Sequence, residues 1–153
     1  MSATNLVKAW ISGCLKDAGF EGRASLWRIR GPEVQWVVQI EDLPHGSRLG
    51  VDVGLDLQSG SNRRRPTDCP ILLHLENLPT AGDFAVMEAL DMSSTLTPDR
   101  RREEIEGAIR ALAEYVTNHG TLSSLRAAYQ DGDLRSAFVR KDARVTLQGA
   151  ETL

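Results

Sequence analysis

Two runs of alternating side chains, joined by one short turn-rich link, constrain this chain more than any other feature. Val34, Trp36, Val38 and Ile40 alternate with Gln35, Gln39 and Glu41. After the break, Leu49, Val51, Val53, Leu55 and Leu57 alternate with Gly50, Asp52, Gly54 and Asp56. A period of two is what a strand shows when one face is buried and the other is wetter. The pattern predicts an antiparallel pair with its aliphatic set turned inward and its acids turned outward.

The flanking segments extend that sheet and cover it. Thr4 or Asn5 can cap a first helix running to about Ala18, with Gly19 as its stop. Leu6, Val7, Trp10, Ile11, Cys14, Leu15 and Ala18 form its apolar stripe. Ser25–Arg30 predicts a strand that turns through Gly31-Pro32-Glu33 into the Val34 run. Asp42–Ser47, with Pro44 and Gly46, makes the next turn. Ser59–Pro66 is a basic loop, and Cys69–Leu78 predicts another strand with His74 and Glu76 on the wetter side. The turn Pro79–Asp83 follows. Phe84–Met92 alternates weakly and fits either a strand, the preferred reading, or a short helix.

Thr97-Pro98-Asp99 opens a helix with a cap, a proline at its first position and an early acid. Ile105, Ala108, Ile109, Leu112, Ala113 and Val116 carry its buried stripe to Gly120. Thr121 caps a shorter helix through Leu122, Leu125 and Tyr129. The tail, 133–153, has the weakest pattern, with a helical turn at Leu134–Val139 and a frayed or strand-like end. A run of strands without intervening helices gives an α+β class: one domain, 1–153, with an antiparallel sheet of four to five strands and helices on one face.

The bulk numbers narrow the function classes. At 153 residues the chain can bury a core without staples, and a formal charge of −3 argues against a protein devoted to neutralising phosphates. Cys14 and Cys69 form no metal-binding spacing and are expected as buried, reduced thiols. No secretory leader or membrane-spanning run is read, which sets a cytoplasmic expectation. Neither cofactor nor metal is implied.

The helix ending LKDAGF, then SLWRIR, VQWVVQI, RLGVDVGLDL and DCPILLHLENL, the Asp83-Phe84 step and the later helices together resemble a bacterial family of domains of unknown function, number forty-three-oh-four. The resemblance covers the chain to roughly Tyr129. It implies an α+β fold and, from members found near bacterial toxin genes, an immunity or accessory role. It supplies no catalytic residues.

Candidate sites come from the wetter sheet face and from two arginine triplets. Glu41, Asp52, Asp56, His74 and Glu76 make a mixed-charge surface suited to a protein partner. Asp52 and Asp56 lie about 13 Å apart along a strand, too far for paired acid/base carboxylates. His74 with Glu76 and a cross-strand acid could form a His-carboxylate cluster for a small enzyme. Arg63, Arg64 and Arg65 in a loop, and Arg100, Arg101 and Arg102 at a helix start, could hold an anion or nucleic-acid phosphate. No nucleophile elbow or glycine-rich phosphate loop is present. His45 and His119 read as turn and helix-end residues. Protein binding of an immunity-like kind ranks first, anion binding second and an enzyme third.

Overall fold

A computed structural model describes residues 2–44, 47–58, 65–78 and 83–148. The chain opens with helix α1 (Ala3–Asp17) and continues through strands β1 (Glu21–Arg23), β2 (Leu26–Arg30), β3 (Gln35–Asp42) and β4 (Leu49–Asp56). A 3₁₀ turn at Pro66–Asp68 leads into β5 (Ile71–His74) and a second 3₁₀ turn at Leu75–Asn77. Helices α2 (Asp83–Ala89), α3 (Pro98–Asn118) and α4 (Leu122–Gln130) follow, then β6 (Phe138–Val139) and α5 (Lys141–Gln148). The sheet is a six-stranded antiparallel meander in the order β1-β2-β3-β4-β5-β6.

The class is the expected α+β, with six strands where four to five were predicted. The two additional strands sit at the edges and have no apolar alternation of their own. Glu21-Gly22-Arg23 is exposed throughout, and β6 has only two residues. Each exists because a longer neighbour offers it a ladder.

Capping chemistry sets the helix starts. Thr97 Oγ1 accepts the Arg100 N–H at 3.2 Å, as the sequence predicts for α3. Helix α1 begins earlier than expected, because Ser2 Oγ rather than Thr4 or Asn5 accepts a first-turn N–H, that of Asn5 at 3.1 Å. Thr121 and Ser124 cap α4 reciprocally.

Two segments differ from the strand assignments. Phe84–Met92 contains helix α2, not a strand: Val86, Ala89 and Leu90 are the buried positions, at spacings of three and four, while Phe84 and Met87 face outward. The predicted Cys69–Leu78 strand stops at His74 and tightens into the 3₁₀ turn, so Glu76 leaves the sheet.

Register fixes which residues share a face. Trp27, Val38, Val53 and Leu73 form one row across the sheet; Ile29, Trp36, Leu55, Ile71 and Val139 form another. These rows join Ile11 and Leu15 of α1, Ile105, Ile109 and Leu112 of α3, and Leu147 of α5 in the main core. Trp36, fully buried, meets Tyr115 edge-on with ring centroids 5.8 Å apart. Tyr115 stacks on His119 at 3.9 Å, and burial pushes its hydroxyl up to about 12.

The opposite face carries the rows Leu26, Gln39, Asp52, His74 and Arg28, Val37, Gly54, Leu72, Phe138, and then Arg30, Gln35, Asp56. This face was expected to be wet along its length, and it is not. The link after β4 returns across it at Pro66–Cys69. A Cβ on Gly54 would stand 2.5 Å from Pro66 Cα and 2.8 Å from Cys69 Sγ, so only glycine admits this approach. Beneath that cover Val37 and Gln35 are fully buried, Asp56 is 2% exposed and Asp52 7%.

Candidate functional site

The covered face remains accessible at the end where β3 finishes and β5 finishes. Asp52 sits in the middle strand, directly opposite His74 of β5 and Gln39 of β3. His74 Nδ1 lies 2.7 Å from Asp52 Oδ1, within a short hydrogen bond that joins the two strands. The imidazole is half exposed while the Asp52 side chain is mostly buried. Glu41, one row along on β3, reaches the same Asp52 carboxyl from the other side and hydrogen-bonds it.

Two carboxyls can share a hydrogen bond only while one of them is protonated, because two carboxylates offer only acceptors. That bond to Asp52 raises the Glu41 carboxyl above its ordinary range, and partial burial and the Asp52 charge push the same way. His74 and Arg65 act in the opposite direction. The result is a chain of polar groups, Glu41–Asp52–His74, spanning three strands with its middle member buried and both ends in water. On the helix-covered side, Lys8 of α1 reaches Asp42 at 2.8 Å, which compensates that acid.

The other sequence candidates separate from this cluster. Asp56 lies at the far end of the same strand, nearly sealed, and its Oδ1 accepts the Gln58 N–H at 3.2 Å. It turns the chain at the end of β4 and offers no contact surface, which corrects its assignment to an exposed binding face. Asp52 is corrected likewise from surface contact to buried anchor. Glu76, half-buried on its 3₁₀ turn, does not stand beside His74 along a strand.

The arginine triplets also resolve. Arg63 and Arg64 lie outside the described residues, as do His45 and Gly46, most of the Pro79–Asp83 turn and the last five residues of the tail. Arg65 is exposed and near enough to Glu41 to act on its charge. Arg101 is only 7% exposed. Its guanidinium donates to the carbonyls of Ala89 at 2.7 Å and Asp91 at 2.8 Å, and reaches those of Glu88 and Ser94 and the Ser94 hydroxyl. It closes the carboxy-terminal end of α2, adding donors to its last carbonyls, and its guanidinium is thereby buried and taken up within the fold. Arg100 pairs with Glu104 at 2.9 Å, while Arg102 approaches Glu106 and lies over Trp10. Of this triplet, then, Arg101 is buried and structural, while Arg100 and Arg102 stay exposed within surface ion pairs.

Neither cysteine forms a disulfide. Cys69 is buried as expected; Cys14 is half-buried, and desolvation with the nearby Glu106 raises its thiol, so thiolate chemistry is disfavoured there. Among the described residues no group of three or more His, Cys, Asp or Glu is arranged to hold a metal ion, and no helix is long and apolar enough to cross a membrane. Gln39 borders the cluster without having been singled out by sequence. It was visible in the alternation, opposite Asp52 once register is known.

The comparisons add no relative. No family model, curated protein or solved structure matches the chain.

Chemically, the cluster can do two things. Its exposed ends can bind a cationic group, and Asp52 can hold the His74 ring so that Nε2 faces outward, the orientation a general base requires.

Proposed function

We propose that this chain is a non-enzymatic protein-binding domain, of the immunity-like kind that masks a bacterial toxin, and that Glu41 and His74 are its contact groups. One observation carries the reading: both exposed side chains are tied to the same buried carboxyl, Asp52, on a sheet packed from both sides. Side chains fixed in advance lose little entropy on docking, so their hydrogen bonds count more fully toward affinity. Glu41 and Asp52 make this end acidic, and the complementary partner surface is basic. The resemblance to the family numbered forty-three-oh-four, some members of which occur near toxin genes, supports the choice of partner class.

The test is co-expression with the product of a neighbouring toxin-like gene, reading growth rescue and co-purification. Glu41→Lys combined with His74→Ala is expected to weaken capture at least tenfold, about 1.4 kcal/mol. Asp56→Asn, at the sealed end of β4, is expected to leave capture unchanged. Full rescue by the double variant would remove the proposed surface.

A further inference from the structure

At the opposite margin of the sheet, the β1 edge carries a polar concavity of about 430 Å³ lined by Gly19, Glu21, Arg28, Ile29 and Arg30. Its chemistry follows from where β1 stops. Arg28 is the last β2 residue with a β1 partner, Glu21; beyond it Gly19 turns away with φ +97°. Gly31 N–H donates to Val34 C=O, and Ile40 N–H donates to Ser25 C=O. Odd-numbered residues of β2 therefore bond toward β3. By alternation, Arg30 turns its own N–H and C=O toward the side where β1 has ended.

The side chains add charge to that exposed backbone. Arg28 and Arg30 project from one face of one strand, about 6.6 Å apart. Among the described residues neither guanidinium takes part in an ion pair or a side-chain hydrogen bond. Directly across from Arg30, Gln35 is fully buried and neither its amide nitrogen nor its amide oxygen has a hydrogen-bond partner. Unmet buried amides are uncommon and ask for a reason. Here the unmet groups and the unpaired cations are neighbours.

We infer that this concavity binds a small oxyanionic ligand, a phosphate or carboxylate carrying a hydroxyl or amine beside it. Arg28 and Arg30 take the oxyanion, with the Arg30 backbone N–H as a third donor. Glu21, on the same wall, repels a bare anion and instead accepts from the ligand's hydroxyl or amine. That carboxylate sets the selectivity: a ligand with a donor next to its anionic group satisfies all parts of the wall, whereas a simple anion leaves Glu21 opposed. This inference stands apart from the protein-binding surface, which lies at the β3–β5 end.

Thermal melts of the full chain at constant ionic strength test it, with glycerol 3-phosphate, lactate, inorganic phosphate and acetate as probes against sodium chloride. The expected result is a rise of roughly 3–6 °C at about ten times the dissociation constant for one hydroxyl-bearing probe, phosphate or carboxylate, exceeding that for its simple counterpart. Arg30→Ala is expected to weaken that probe about tenfold, and Glu21→Gln to narrow its advantage over the simple anion. Arg110→Ala, which removes an exposed guanidinium on α3, serves as the control. An equal loss in Arg110→Ala, no dependence on Arg30, or shifts no larger than those of chloride would each overturn the inference.

Discussion

The two faces of the sheet are made by the same strands yet closed by different means. On one, Trp36, Val38, Val53 and Leu55 meet the apolar stripes of long helices, and the seal is made by large side chains interlocking. On the other, Val37 and Gly54 meet a single 3₁₀ turn, and the seal depends on backbone passing close to backbone. The first closure tolerates no loss of volume. The second tolerates no gain. The second also traps polar residues, Gln35, Asp52 and Asp56, whereas the helix-covered rows of the sheet are aliphatic and aromatic. Burial alone therefore does not mark the main core of this protein; what is buried with what does.

Three substitutions sharpen or break that contrast. Trp36→Ala removes the largest fully buried side chain of the helix-covered face and its contact with Tyr115. A loss of about 3–5 kcal/mol is expected by denaturant titration. A loss below ~1 kcal/mol would mean that this face is not packed as described. Gly54→Ala tests the other closure by addition: the new methyl meets the Pro66 backbone, which cannot swing aside as a flexible side chain can. The expected cost is about 1–3 kcal/mol. A neutral result would show the 3₁₀ cover to be loosely held.

The smallest effect is the pH-dependent one at the exposed end. The Glu41 carboxyl is raised in the folded state, so its favourable contribution is present at low pH and is lost as pH rises through the folded value. Above that point two like charges face each other across neighbouring strands. Glu41→Gln keeps the neutral form at every pH. Its stability relative to the parent chain should therefore rise between pH ~4 and pH ~7. The gain is about 0.2–1 kcal/mol for a like-charged cross-strand contact, toward the low end because Glu41 is exposed and screened. A difference independent of pH would sink the shared-proton description.

Much of this architecture was legible in the residues, for identifiable reasons. Helix α3 could be read because Thr97, Pro98 and the Ile105–Val116 stripe all point to one element. The β3–β4 ladder could be read because its aliphatic alternation is long. Helix α2 stayed ambiguous with a strand because Phe84 and Met87 are apolar but exposed, which blurs the buried spacing of Val86, Ala89 and Leu90. Arg101 was recoverable: it lies four residues before Ile105 and seven before Ala108, on the buried stripe, while Arg100 and Arg102 fall to either side. Reading the triplet as one unit hid that. The burial of Asp52 and Asp56 was not recoverable, since alternation says which residues share a face and nothing about what a later loop lays over it.

Arg101 has a consequence for the middle of the chain. A helix of seven residues such as α2 is far shorter than one that persists alone in water. Its final carbonyls accept from a cation rooted in α3, so one distant side chain adds to the core packing of Val86, Ala89 and Leu90 in holding this stretch. Removing that guanidinium would loosen the junction after α2, next to the backbone bridge that fastens Arg48 to Asp91 at the head of β4. Local helical preference sets where α2 can form; core packing and a tether from the next helix together hold it there.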